Sequence, residues 1–224
     1  MPGRLVLFDL DGTITRRDTY VAFLLYVLAR RAGRLPWCAP LPFDVLRFKL
    51  GRLGNDELKR RFLGAILAGL GRAELATHVT GFLDRHFVRM VKPAALARIA
   101  QHRDAGDRLV LATASLDLYT TAIAERLGFD AAHSTRVGWI GERVGTALAG
   151  PNLLGEAKLA AVEAMLAGDA TRPFVIAYSD HHSDLPLLLA ADQGIAVDPT
   201  PRLSAAASQH GLTIEHWAGA NERR

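Results

Sequence analysis

The sequence predicts an α/β fold: a doubly wound parallel sheet into which an all-helical segment has been inserted. Three observations lead there. An apolar run at residues 4–9 reads as a buried strand and ends on the turn signal Asp11-Gly12. After Pro93 the pattern alternates helix and strand to the end of the chain, the rhythm of a parallel sheet covered by crossover helices. Between these stretches, residues 16–92 show helical spacing and no strand signal. Residues 1–15 and 93–224 therefore form one sheet-based core, and residues 16–92 a helical insertion above the strand ends.

The elements follow in order. Asp18 caps a helix running to about residue 31, and Gly33, Pro36, Pro40 and Pro42 then break the chain. A short helix covers 43–50. Asn55 caps the next, with Leu58, Phe62, Ala65 and Ile66 at helical spacing, and one helix spans 72–90. Beyond it come a helix at 94–105, a strand at 108–113 and a helix at 117–127 closed by Gly128. Short strands and turns fill 131–149. The remaining helices fall at 155–167, 184–191 and 201–210, and the strands at 173–179, 194–197 and 212–215. The tail, 218–224, is expected to fray.

Composition excludes several classes. Apolar residues make up 50% of the 224 and charged residues 22%, the balance of a folded globular protein. Cys38 is the sole cysteine, so neither a disulfide framework nor a multi-cysteine zinc site can form within the chain. The longest apolar run, 20–29, is half of what a spanning helix needs. It reads as helix core, with a membrane-contacting surface as the alternative. No signal peptide is expected, and a cytoplasmic location follows, peripheral at the inner membrane surface if the basic segment meets lipid. Residues 16–92 carry 15 Lys/Arg against 6 Asp/Glu, whereas the rest carries 12 against 17. A basic module attracts anions, either phosphorylated substrates or an anionic membrane. Trp37, Phe43 and Phe48 beside Arg47 and Lys49 read either as an interfacial patch or as packing. A nucleic-acid partner is not expected, and the oligomeric state is left open.

The chemistry gathers at strand ends, where open parallel sheets bind ligands. Asp9 and Asp11 stand two apart in Asp9-Leu10-Asp11-Gly12-Thr13. An EF-hand loop starting at Asp9 is excluded, because its sixth and twelfth positions would be Ile14 and Tyr20; a plain Asp-Gly turn is the remaining alternative. Thr113-Ala114-Ser115 offers hydroxyls and backbone N–H groups before a helix, a nest for phosphate oxygens. Lys158 sits on the first turn of a helix, where the dipole disfavours a cation, so it answers an anion. Asp180 and Asp184 close another strand in Ser179-Asp180-His-His-Ser183-Asp184. Four carboxylates at one mouth need a cation, and hard oxygen ligands point to Mg²⁺.

These segments, in this order and on these elements, resemble the four motifs of the haloacid dehalogenase superfamily, in its phosphoserine-phosphatase-like branch. The resemblance implies a Rossmann-like core with a C1-type helical cap and a Mg²⁺-dependent phosphomonoesterase working through an aspartyl-phosphate. It assigns Asp9 as nucleophile and Asp11 as general acid/base. Gly12, Thr13, Thr113, Ala114 and Ser115 fall to the phosphate, and Lys158 to the nucleophile and phosphate together. Asp9, Asp180 and the Asp11 carbonyl would hold Mg²⁺, with Asp184 and Ser183 accessory. Where phosphoserine phosphatases carry a Glu nine residues after the nucleophile, this chain has Asp18, one methylene shorter, which a helix N-cap explains equally well. The branch's cap arginine is matched by Arg60 or a neighbour in Lys59-Arg60-Arg61.

The substrate expected is a small phosphorylated metabolite. The alternatives are a phospholipid head-group phosphatase of the phosphatidylglycerophosphate type and a phosphotransferase. A non-catalytic phosphate-binding module is the alternative outside enzymes.

Overall fold

A computed structural model describes residues 3–218. Six strands form its main sheet: β1 (Arg4–Phe8), β2 (Arg108–Leu116), β3 (Ala131–Thr135), β6 (Phe174–Ser179), β7 (Gln193–Val197) and β8 (Thr213–Glu215). All neighbours pair in parallel, in the order β3-β2-β1-β6-β7-β8. The first strand in sequence thus sits inside the sheet, and the chain winds outward to both sides of it. A separate antiparallel hairpin is made by β4 (Val137–Ile140) and β5 (Arg143–Leu148).

Side-chain alternation splits the interior in two. Leu5 and Leu7 face one side with Val110, Val175 and Ala177, covered by α8 (Glu156–Leu166), α9 (Leu185–Ala190) and α10 (Pro201–His210). Val6 and Phe8 face the other side, against α6 (Pro93–Asp104) and α7 (Asp117–Leu127). Phe8 stacks on Tyr178 of β6 at 4.6 Å between ring centroids. Each such fully buried side chain contributes about 1.5–3 kcal/mol. Helices on both faces make the sheet doubly wound, as the alternating pattern required.

The helical segment between β1 and α6 contains α1 (Thr19–Leu28), α2 (Leu41–Lys49), α3 (Asn55–Phe62), α4 (Arg72–Phe82) and the short α5 (Val88–Met90). Its apolar side chains Phe23, Leu63, Leu67, Phe82 and Phe87 are buried in one cluster with Phe8, Leu111 and Tyr119 of the sheet side.

Several local expectations change. Pro42 does not break the chain; it lies in the first turn of α2, where its missing N–H is unneeded. Asn55 is inside α3 rather than its cap, because Gly54 takes the extended N-cap position. The helix expected over 72–90 is interrupted by a π-helical turn at Leu83–Phe87, and a second such turn, Leu63–Leu67, follows α3. The hairpin at 137–148 docks on the helical segment: Gly69 N–H donates to Val144 O at 2.8 Å and Val144 N–H to Leu70 O at 2.9 Å. The tail expected to fray begins at Ala218, whose N–H donates to Asp198 at 2.9 Å; 219–224 lie outside the described residues.

Candidate active site

The carboxyl ends of β1, β2 and β6 converge under the helical segment on a cavity of about 490 Å³. Asp9, Asp11, Thr113, Ala114, Ser115, Lys158, Ser183 and Asp184 line its floor. Tyr20, Leu24, Val45, Phe48, Leu58 and Phe62 of the helical segment form an apolar upper wall, with Leu154 from the core and the cations Lys49 and Lys59.

Lys158 organises the floor. Its ammonium donates to Asp9 Oδ1 at 2.7 Å and Asp184 Oδ2 at 2.6 Å, and is almost wholly buried. Ser179 Oγ donates to the same Asp184 oxygen at 2.7 Å. Burial alone would lower the Lys158 pKa, but the charges of Asp184 and Asp9 outweigh it and hold it above the usual lysine range. Asp9 moves the other way: burial pushes it well above the usual carboxylate range, Lys158 pulls it back, and the charges of Asp184 and Asp180 push it up again.

Asp11 is turned away from this pair. Its Oδ1 accepts from the Thr19 backbone N–H at 2.6 Å and its Oδ2 from Ser115 Oγ at 2.6 Å. Burial, with the charge of Asp18, pushes its pKa up to about 6. Thr113 Oγ1 accepts from Ser115 N–H at 3.1 Å, which leaves its own proton available. A register shift in the β2–β3 pairing between Thr113 and Leu116 accompanies the appearance of three successive residues, 113–115, in the cavity lining. These residues extend β2 to Leu116, beyond the strand end expected at 113, and stand directly before α7.

Gly12 adopts φ +87°, and a Cβ there would stand 2.2 Å from Asp180 Oδ2. Glycine is needed here for both the left-handed turn and the close approach. Thr13 is fully buried and donates to Asp180 Oδ1 at 3.1 Å. None of Gly12, Thr13 and Asp180 is among the residues that line the cavity; the contacts of Gly12 and Thr13 support Asp180. Lys92, itself buried, bonds the Gly12 carbonyl and pairs with Asp198 at 2.8 Å, fixing the loop from behind.

The expected gathering of four carboxylates resolves into separate tasks. Asp184 Oδ2 is taken by Lys158 and Ser179 while its Oδ1 is buried without a hydrogen-bond partner, and Asp11 is taken by Ser115 and Thr19. Among the described residues no group of three His, Cys, Asp or Glu side chains is placed to hold a metal. A cation at the expected donors, Asp9, Asp180 and the Asp11 main-chain carbonyl, would suit their chemistry. Burial pushes Asp180 up to about 6 and presses Asp9 in the same direction, so two desolvated carboxylates lack sufficient positive charge. All three donors are oxygen, the set a hard cation prefers.

Asp18 is an N-cap: its Oδ1 accepts from Val21 N–H at 2.9 Å, while the residue borders the cavity. Arg60 does not line the cavity; its guanidinium faces Glu57 at 3.9 Å on the surface. The neighbour Lys59 turns inward instead. It donates to Ala114 O at 2.7 Å and Asn152 Oδ1 at 2.6 Å, and burial lowers its pKa to about 8. Asn152 also donates to Asn55 and Asp56, each at 2.9 Å, tying α3 to the core. Sequence alone did not separate Lys59 from its neighbours Arg60 and Arg61, and it did not point to Asn152. The signal for the first was the i, i+4 spacing of Asn55 and Lys59, which puts them on one face; Asn152 gave none.

Residues 6–189 match the family model described as haloacid dehalogenase-like hydrolase. The chain is 30% identical over 208 residues to a phosphoserine phosphatase of Halobacterium salinarum, covering 90% of this chain and 89% of that one. It is 25% identical to a histidinol-phosphatase of Neisseria meningitidis, covering 94% and 97%. A crystal structure of a protein of unknown function from Bordetella pertussis Tohama I superposes with a TM-score of 0.83 at 27% identity, covering 96% of this chain and 98% of that one.

Proposed function

Because the chain belongs to the haloacid dehalogenase-like hydrolase family, we propose that it is a phosphomonoesterase that passes a phosphoryl group through Asp9 to water. The observation that carries this reading is the contact of Lys158 with Asp9 at 2.7 Å on the cavity floor, with Asp11 held separately by Ser115. A carboxylate nucleophile and a phosphate dianion repel each other; Lys158 offsets that charge. An Asp9 oxygen attacks phosphorus, and the ester P–O bond breaks. The departing oxygen takes the proton of Asp11, whose pKa of about 6 leaves it a fraction protonated near neutrality. Water then attacks the phosphorus, Asp11 takes back a proton, and the Asp9–phosphorus bond breaks. Thr113 and the backbone around Ala114 and Ser115 offer donors to the phosphoryl oxygens.

Mg²⁺ is the metal of this reading, and Asp9, Asp180 and the Asp11 carbonyl would hold it. When bound it would neutralise phosphate charge and keep Asp9 ionised. Residues 16–92 serve as the cap, closing the cavity from above and supplying the wall that meets the substrate's organic part.

The substrate is a small phosphorylated molecule. Phosphoserine itself is disfavoured, since Asp18 caps a helix and Arg60 faces solvent. A phosphorylated lipid head group is the second reading, favoured by the apolar upper wall. Hydrolysis of an aryl phosphate with added Mg²⁺, abolished by excess chelator, tests the reaction class. Undiminished turnover in chelator would refute the metal. A panel of phosphoserine, sugar phosphates, nucleotides and lysophosphatidates then separates the substrates.

A further inference from the structure

Helix α2 buries a carboxylate while leaving large apolar side chains outside. The residues it buries are Leu41 and Asp44. Asp44 is 3% exposed, whereas Phe43 beside it is 63% exposed and Leu46 51%. A surface helix ordinarily turns its apolar stripe toward the core. Here a carboxylate takes an inward position, held by Arg61 at 3.0 Å with Arg47 at 4.0 Å. The 3₁₀ helix before it, Ala32–Cys38, buries no residue and leaves Trp37 65% exposed. Single exposed apolar side chains are ordinary. A run that exposes Leu35, Trp37, Phe43, Leu46 and Leu50 while burying an aspartate is not.

Charge identifies what meets this face. From residue 30 to 52 the chain carries Arg30, Arg31, Arg34, Arg47, Lys49 and Arg52 against one acid, the buried Asp44; Arg31 also meets Glu74 at 3.6 Å, and Arg34 donates to the Ala65 carbonyl at 2.8 Å. Two guanidinium groups lie near exposed rings, Arg34 at 5.4 Å from Trp37 and Arg47 at 6.0 Å from Phe43. Apolar tips among cations, with an amphipathic aromatic at the rim, match an anionic bilayer surface. A second copy of the chain fits poorly, because a two-fold contact would set this basic face against itself.

We propose that the face formed by residues 32–50 docks on an anionic membrane. The same helix carries Val45, Phe48 and Lys49 into the wall of the cavity, so docking sets the cavity mouth at the lipid surface. That last step rests on the phosphatase reading, and gives the substrate class as a phosphomonoester with an apolar body drawn from the bilayer; the docking itself does not.

The test uses the whole protein and flotation with vesicles of phosphatidylcholine, with and without phosphatidylglycerol. The variant Trp37→Ser/Phe43→Ser/Leu46→Ser changes exposed side chains that do not line the cavity. The wild type is expected to float with phosphatidylglycerol vesicles only and to be released by salt. The variant is expected to bind at least about tenfold more weakly and to keep its aryl-phosphatase activity. No binding to anionic vesicles, equal binding by the variant, or binding to neutral vesicles alone would overturn the proposal. So would a dimer in sedimentation velocity that the variant converts to monomer. Vesicle binding without phosphatase activity would refute the enzymatic reading and leave docking standing; activity without vesicle binding does the reverse.

Discussion

Lys158 Nζ lies 2.7 Å from Asp9 Oδ1, joining residues 149 apart in sequence at the floor of one cavity. Asp184 shares the same ammonium at 2.6 Å. The cation therefore serves stability and chemistry at once. Lys158→Met leaves two buried carboxylates without their partner, and a loss of about 3–5 kcal/mol in unfolding free energy is expected at neutral pH. Turnover of an aryl phosphate should fall about 10²–10³-fold. Urea unfolding and kcat on the same preparation check both. Unchanged stability would mean that the pair is not buried in solution.

Asp9 and Asp11 should fail in different ways. Asp9→Asn removes the nucleophile and all measurable turnover with every substrate. Asp11→Asn removes a proton donor worth about 10²–10⁴-fold, and only poor leaving groups need that proton. Alkyl phosphates should therefore lose far more than aryl phosphates. Equal losses would remove Asp11 from the departure step.

Gly12→Ala introduces a Cβ 2.2 Å from Asp180 Oδ2 at φ +87°. The left-handed backbone costs about 1–2 kcal/mol, and Asp180 must move. The Mg²⁺ concentration for half-maximal activity should rise about 10–100-fold, as when a metal ligand loses its support. A Mg²⁺ titration reads this directly; an unshifted titration would detach Asp180 from the metal.

Lys59 supplies a pH dependence from outside the catalytic group. Two of its three donors go to Ala114 and Asn152, and the third is left for a ligand in the cavity it lines. Burial lowers its pKa to about 8. Below that pH it is a cation, and above it neutral, so KM for an anionic substrate should rise through pH 8, by about 10–100-fold at the limit. Lys59→Met should show the high KM at every pH. The stability sign is opposite: from about pH 8 up to the unfolded lysine value the unfolded chain binds more protons, so stability rises with pH. Below pH 8 the burial cost is present in full.

The sheet was legible because its strands are apolar runs closed by turn residues, and Asp9 and Asp11 directly follow one. The placement of Thr113 and Lys158 in the same cavity also followed, since strand ends and helix starts meet at one edge of a parallel sheet. Less legible was anything set by the direction a helix faces. Lys59, Arg60 and Arg61 look equivalent in sequence, yet one enters the cavity, one faces solvent and one pairs with Asp44. Helix α2 defeats hydrophobic patterning in part, because one of its two buried positions holds an aspartate. The four acids gave no hint that Asp11 and Asp184 would be occupied by Ser115 and Lys158 from distant segments.

The role of Asp9 is open to one direct measurement. The enzyme is mixed with a labelled phosphomonoester and Mg²⁺, quenched in acid during turnover, and digested for peptide mass spectrometry. Phosphoryl label is expected on Asp9 and nowhere else, and absent in Asp9→Asn. Turnover with no label on the protein, or label on a serine, threonine or histidine, would contradict a phosphoryl group passing through Asp9.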